Sequence, residues 1–515
     1  MQQTIIKKTI HVASSTLISR FLGIIRELLM VKYLGAGIMS DAFVTAFKIP
    51  TSLRKIFAEG AVSAAFIPTF IATLKKNRAE AFSLMSLAFV LFEGVLLLVC
   101  GSTMLIAPWL IKWIAPGFSP EQVQATVPLV QILMPFIFFI SSSALLAGAL
   151  QSIDHFFVPA FGPILLNIVF ILGLLVCWFF NLNVYYFCFF VLFAGLLLFL
   201  HHWYAYYTNH LYFGAISYKT ITSFSSILVK FGLCALSMSV MEISLFIDTS
   251  FASYLPAGTT SLIYYANRFM GIPLGVFGVA FSTILFPYFS KISMYAPKRL
   301  NFYLFEAAKL VFWVTVPCTL LLLAFADKIF LTLFVSQSFT VAQAYEAGSI
   351  LRAFSIGLFF FSLNKILLNV FYALHDMKTP SYISIGVTIL NILLNILLMH
   401  FFYSTGLAFA TTCASIAQTF SMLFFLNYYF GIHGFKKYFL WFALRYSLQV
   451  IIVGVLFIGL YYIITTLLFF LPLPLLNFLL FKIGFWLWVG PLSLFACFLL
   501  LFWRKWFKIP LYFLD

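Results

Sequence analysis

Residues 158–181, VPAFGPILLNIVFILGLLVCWFFN, and 184–207, VYYFCFFVLFAGLLLFLHHWYAYY, run 24 residues each without an Asp, Glu, Lys or Arg. A bilayer core about 30 Å thick needs about 20 apolar residues per helix, so each run is long enough to cross it. A β-barrel, the other way to pair every backbone group in lipid, would show alternating segments of about ten residues. These runs are continuous and more than twice that length, and they read as two transmembrane helices joined by a short turn.

The same pattern recurs along the chain. Breaks at charged, proline-rich or glycine-rich points place spans near 9–33, 41–72, 79–107, 123–150, 158–181 and 184–207. Eight more follow near 223–255, 261–290, 306–332, 346–374, 380–403, 405–430, 440–469 and 478–502. The expected fold class is all-α integral membrane, with about 14 transmembrane helices. Composition agrees: 63% hydrophobic, 20% aromatic and 9% charged residues leave too little polar surface for a soluble globule of 515 residues.

A formal charge of +16 raises the question of nucleic acid, and the positions of the basic residues answer it. Lys7, Lys8, Lys75, Lys76, Arg78, Lys219, Lys291, Lys298, Arg299, Lys378, Lys436, Lys437, Arg504, Lys505 and Lys508 fall on one side of the expected membrane. Lys32, Lys112, Lys328 and Lys482 fall on the other. By the positive-inside rule both termini are expected in the cytoplasm, which an even number of spans requires. Arg20 and Arg26 interrupt the first apolar run, so it does not read as a cleavable signal. The seven cysteines lie singly within apolar segments and read as packing residues, with no metal or disulfide cluster among them.

Local patterns repeat. Ile49-Pro50 returns as Ile272-Pro273, Pro68 as Pro287, Pro159 as Pro380 and Asn167 as Asn391, at offsets of 223, 219, 221 and 224 residues. Such a repeat suits a transporter built from two parallel halves. The expected organisation is two six-helix lobes, 1–215 with spans 1–6 and 216–432 with spans 7–12, followed by spans 13–14 over 433–515.

Some residues do not belong in lipid. In span 1, SRFLGIIRE places Ser19 and Arg26 on one stripe of the helix and Arg20 and Glu27 on the next. A cation at that depth costs about 2.5–3.5 kcal/mol or more unless it meets a partner or water, so this wedge faces the protein interior. Span 2 aligns Asp41, Lys48, Lys55 and Glu59 on one stripe with Arg54 beside it, and span 8 places Asn267 and Arg268 ahead of Gly271, Gly275 and Gly278. Together the three spans hold six cations, Arg20, Arg26, Lys48, Arg54, Lys55 and Arg268, against three acids, Glu27, Asp41 and Glu59. The excess calls for an anion. Arginine suits phosphate because its planar fork donates two parallel hydrogen bonds and stays charged when buried. The competing reading has the lysines snorkelling to an interface and Arg20 pairing with Glu27.

A second constellation is acidic and amide-rich. Asp248 in span 7, Asn391 and Asn395 one turn apart in span 11, and Thr411 in span 12 offer oxygens for a hard monovalent cation such as sodium. Interhelical hydrogen bonding is the other use of such residues. Glu242 is a further intramembrane acid without an assigned partner. Lys309 and Arg352 read as anchors near span ends, and His201 and His202 as loop residues. No G-x-S-x-G, H-E-x-x-H or P-loop is present, so the chain does not read as an enzyme.

The runs SRFLGIIRELL, SDAFVTAFKIPTSLRKIFAEGAVSAAFIP and YYANRFMGIPLGVFGVAFSTILFP, with the HDMKTP turn at His375–Pro380, resemble the MurJ/MviN lipid II flippases of the multidrug/oligosaccharidyl-lipid/polysaccharide exporter superfamily. The resemblance implies two lobes around a cationic cavity, with spans 13 and 14 forming a groove for a polyprenyl tail. It implies outward movement of the undecaprenyl-diphosphate-linked peptidoglycan precursor across the bacterial cytoplasmic membrane, and alternating access is the expected mechanism. The family's substrate-binding residues match Arg20, Arg26, Arg54, Arg268, Asp41 and Glu59. Asn267 and Gly271 depart from the family, whose members often carry acids there. The expected partners are lipid II and membrane lipids, not nucleic acid, with a monomer as working unit and cell-wall synthesis proteins as associates. The alternatives are an O-antigen or oligosaccharide-lipid flippase and a drug/cation antiporter of the same superfamily; a drug antiporter should carry an acid-dominated cavity.

Overall fold

The computed structural model describes residues 2–57, 62–296, 299–431 and 436–513, and these are helical apart from loops and one isolated bridge between Ser336 and Phe339. Two compact units emerge from the packing, Met1–Ser261 and Leu262–Asp515.

The first unit contains α1 (Gln2–Leu34), α2 (Ile38–Arg54), α3 (Val62–Lys76), α4 (Arg78–Ile114), α5 (Pro120–Leu133), α6 (Phe136–Ser152), α7 (Phe157–Phe179), α8 (Val184–Thr208) and α9 (Tyr218–Ser253). Helix starts follow local chemistry. Asn77 accepts from the Ala79 and Glu80 amides at the head of α4, and Ser119 with Gln122 makes a reciprocal capping box on α5. The expected fourth span is broken into α5 and α6 at Met134–Pro135, where proline lacks the N–H that a continuous helix needs.

Lipid is as apolar as leucine, so these helices are held by close fit rather than by escape from water. Phe66 and Phe70 of α3, Leu84, Met85 and Phe92 of α4, Leu145 and Leu146 of α6, Tyr206 of α8 and Phe224 of α9 form a buried cluster. Glycine supplies the closest approach: a Cβ at Gly173 of α7 would lie 2.6 Å from Phe190 Cβ of α8.

The second unit continues α10 (Thr259–Pro273) through a π-helical turn, Leu274–Val279, into α11 (Ala280–Tyr295). Pro273 removes the hydrogen bond that the Phe269 carbonyl would receive, and the ladder widens just after it. Then come α12 (Leu300–Leu333), α13 (Val341–Ile356), α14 (Leu358–Ala373), α15 (Lys378–Phe430), α16 (Lys436–Leu468), α17 (Leu473–Phe481) and α18 (Phe485–Trp503). A straight helix of 53 residues would be about 80 Å long, far more than one crossing. Instead α15 breaks at Tyr403 (φ 49, ψ −128), and Gly406 lies so close to the Leu398 carbonyl that no Cβ fits. The expected eleventh and twelfth spans are the two arms of this break.

Among the described residues, nine helices are long and apolar enough to cross a membrane, or ten if α13 and α14, bent by 44° at Gly357, make one span. Helices α1 and α2, which carry the charged wedge, are not among them. His201 and His202, expected in a loop, lie inside α8. His202 is buried, and its Nδ1 is 2.9 Å from the Leu198 carbonyl. Of the seven cysteines the structure describes six, all free.

Candidate functional site

The polar wedge of α1 meets α7. Arg26 donates through Nη1 to Asn167 Oδ1 at 3.1 Å, and Asn167 Nδ2 donates to the Ser19 carbonyl at 3.0 Å and its hydroxyl at 3.2 Å. Gly23, between Ser19 and Arg26 on this face, leaves room for the amide; a Cβ there would sit 4.0 Å from Asn167 Nδ2. Arg26 Nη2 also pairs with Glu27 Oε1 at 2.6 Å, and its guanidinium lies 5.6 Å from the Phe170 ring centre. The arginine is thus oriented on three sides while its side chain keeps 20% exposure. Glu27 pairs with Arg26 here. Arg20 is exposed on the neighbouring stripe.

On α2, Asp41 is 1% exposed and fully engaged. Its Oδ2 accepts from the Gly258 amide at 2.6 Å, and its Oδ1 from the Ser261 amide and hydroxyl at 2.8 and 2.6 Å. The carboxylate thus caps the turn that opens α10, as an N-cap side chain would. Gly258 adopts φ +98 against the Ala36 carbonyl, a position only glycine fills without strain.

Further along α2 the lysines reach α9. Lys48 Nζ donates to the Leu245 carbonyl at 2.7 Å and to the Thr249 hydroxyl, within the field of Asp248. Lys55 pairs with Glu242 at 3.0 Å. Lys48 and Lys55 are seven residues apart, as are Glu242 and Thr249, so the two lysine side chains reach two equally spaced rungs of α9. The count of six cations against three acids omitted Glu242 and Asp248, and the lysines are the cations drawn to them rather than to an interface. Arg54 is half-buried at the end of α2. Glu59 lies outside the described residues.

In the second unit Arg268 is exposed, yet ordered by its own helix. It donates to the Tyr264 hydroxyl at 2.7 Å and lies 4.6 Å from that ring's centre, one turn back. Asn267 is exposed beside it, and Gly271 has open space where a side chain would project. Asn391 and Asn395 are buried and joined at 3.0 Å, and Thr411 donates to the Leu407 carbonyl of its own turn. Asp248 belongs to the first unit and these three to the second. Among the described residues no group of three His, Cys, Asp or Glu side chains could hold a metal ion.

Two supposed anchors prove to be paired. Lys309 forms a buried ion pair with Glu306 at 2.6 Å, and Arg352 pairs with Asp327 at 2.8 Å. The residues that sequence reasoning did not assign are Asn167, Glu242, Thr249, Gly258, Ser261 and Tyr264. The seven-residue spacing shared by α2 and α9 was a signal for two of them.

Three comparisons bear on this arrangement. A family model described as lipid II flippase MurJ matches residues 30–478. The chain is 34% identical over 425 residues to a probable lipid II flippase MurJ of Buchnera aphidicola from Acyrthosiphon pisum, covering 80% of this chain and 81% of the relative. A second relative of that description, from Rickettsia prowazekii, is 30% identical over 419 residues, covering 80% and 82%. Among solved structures, a lipid II flippase MurJ in an inward closed conformation superposes with a TM-score of 0.77 over 96% of this chain and 99% of that one, at 24% identity. An inward-facing multidrug resistance transporter of the MATE family shares the fold at a TM-score of 0.66 and 14% identity, over 79% and 93% of the two chains.

Proposed function

The chain belongs to the lipid II flippase MurJ family, and on that premise we propose that it moves lipid II from the inner to the outer leaflet by alternating access. It is a multi-pass protein of the bacterial cytoplasmic membrane, and the activity is transport rather than catalysis. The lipid-linked peptidoglycan precursor is its substrate, and its two repeated halves with spans 13 and 14 are the moving parts and the tail groove.

The observation that carries this reading is Arg26. A guanidinium on the polar wedge of α1 is fixed by Asn167, Glu27 and Phe170 and still retains accessible surface. A diphosphate offers the doubly accepting oxygens that such a fork fits. Arg20, Arg54 and Arg268 are the further cations of the substrate path, while Asp41 supports it by holding the turn at Gly258–Ser261. An acid-dominated site, as a drug/cation antiporter should have, is not what these residues make.

Each negative charge that moves outward across an inside-negative membrane gains about 2.3 kcal/mol per 100 mV, so the loaded step runs downhill. The empty, cationic protein needs a counter-movement. Sodium is the ion we propose, held either at Asp248 of the first unit, where Lys48 competes for it, or at Asn391, Asn395 and Thr411 of the second. Transport that ignores sodium and tolerates Asp248→Ala would remove this ion from the mechanism. The functional reading itself is tested by depleting the protein and asking in which leaflet lipid II accumulates: stranding in the inner leaflet is expected, and an unchanged distribution would overturn it.

A further inference from the structure

One buried acid plays no part in the site above. Glu93 lies on α4, 15 residues after Arg78 in a 37-residue helix, about 22 Å along its axis. It shares an inward stripe with Met85, Phe92, Leu96 and Cys100, and is itself 4% exposed. Both carboxyl oxygens are buried and neither has a hydrogen-bond partner. The hydroxyls of Ser141 and Ser142 on α6 flank it, and Ser142 Oγ is also buried without a partner. The next hydroxyl, that of Ser143, is taken by the Phe139 carbonyl of its own helix.

Among the described residues no counter-charge holds Glu93 there. Helices α3, α5, α6 and α9 pack on α4. The charged residues of α3 are Lys75 and Lys76 in its last turn, α5 has Glu121 in its first, and α6 has none. On α9, Glu242 pairs with Lys55 and Asp248 acts on Lys48, while the side chains of Lys219 and Lys230 lie outside the described residues. An ionised carboxylate so placed would have two serine hydroxyls beside it and no counter-charge among the described residues, an arrangement that apolar surroundings penalise. A carboxylic acid needs only an acceptor, and Ser142 Oγ is one.

We propose that Glu93, with Ser141 and Ser142, is a proton-binding site inside the first unit, and that its occupancy is linked to lipid II movement. One proton from solution changes the site from −1 to neutral and returns to solution when the packing of α4 on α6 changes. The link to transport rests on the functional reading above; the proton site does not.

The test uses the full chain in lipid vesicles and the isosteric variant Glu93→Gln. Infrared spectra at neutral pH should contain a protonated-carboxyl C=O band that Glu93→Gln removes, that Ser142→Ala shifts and that Glu121→Gln leaves unchanged. With the membrane potential clamped at zero, a gradient of about one pH unit, a tenfold difference in proton activity, should alter wild-type lipid II translocation by up to about tenfold and leave Glu93→Gln indifferent. Identical infrared spectra for wild type and Glu93→Gln would overturn the proton site. An equal response of both proteins to the gradient would overturn its link to transport. Wild-type vesicles that move no lipid II would instead sink the functional reading, with the infrared result still deciding the proton site.

Discussion

Asn167 of α7 accepts a hydrogen bond from Arg26 of α1 at 3.1 Å and uses its own amide to grip Ser19 two turns earlier. One side chain thus sets both the register of two helices and the aim of a guanidinium. A hydrogen bond to a charged group contributes about 1.5–3 kcal/mol. Asn167→Ala should therefore lower lipid II translocation roughly ten- to a hundredfold if Arg26 is the diphosphate ligand. Normal rates in vesicles containing Asn167→Ala, at normal abundance, would show that the aim of Arg26 does not matter.

The arginines and lysines should separate in a mutational comparison. Arg26→Ala and Arg268→Ala are expected to abolish translocation without loss of membrane insertion. Arg26→Lys should recover only a small part, because a lysine cannot donate two parallel bonds. Lys48 and Lys55 are held by α9, so Lys55→Ala should reduce the rate by less than about tenfold, in keeping with a half-exposed ion pair worth up to about 1 kcal/mol. Translocation rates normalised to protein in the membrane decide the ranking.

Asp41 should fail differently. Its two oxygens take three donors from Gly258 and Ser261 in a buried site. Asp41→Ala leaves those donors unsatisfied, at about 1–3 kcal/mol for each, so a marked drop in thermal stability and abundance is expected together with any loss of transport. Asp41→Asn keeps one carbonyl acceptor and should lie between. Thermal unfolding in detergent distinguishes this from Arg268→Ala, which removes an exposed side chain and should leave the unfolding temperature at the wild-type value.

The apolar runs made the helices legible, because crossing a bilayer needs length and continuity, and both are visible in sequence. The breaks were harder to see. Nothing in the run around Tyr403 distinguishes a reversal from a loop until Gly406 is seen against Leu398. Likewise stripe geometry placed Ser19 and Arg26 together, but the residue they share lies 141 positions beyond Arg26. Asn167 had drawn notice only as half of a repeat. Glu93 was not singled out in the sequence; its place beside Ser141 and Ser142 needed the packing of α4 on α6.

The last prediction concerns the C-terminal segment. Glu306 and Lys309 of α12 are 2.6 Å apart with side chains 6% and 5% exposed. Lys309 also donates to the Pro510 carbonyl, and Glu306 accepts from the Tyr512 amide. Ile509 and Leu511 are buried among Phe442, Tyr446 and Leu500 of α16 and α18, so the pair is the polar clasp on an apolar strap. Removing one member of a buried pair leaves an uncompensated charge, at about 3–5 kcal/mol, whereas replacing both with apolar groups is often neutral. Lys309→Met should therefore release the strap and expose residues beyond Trp503 to protease, while Glu306→Leu combined with Lys309→Met should largely restore protection. If the double variant is cut as fast as the single one, the clasp is needed for its specific bonds to the strap backbone rather than for charge balance.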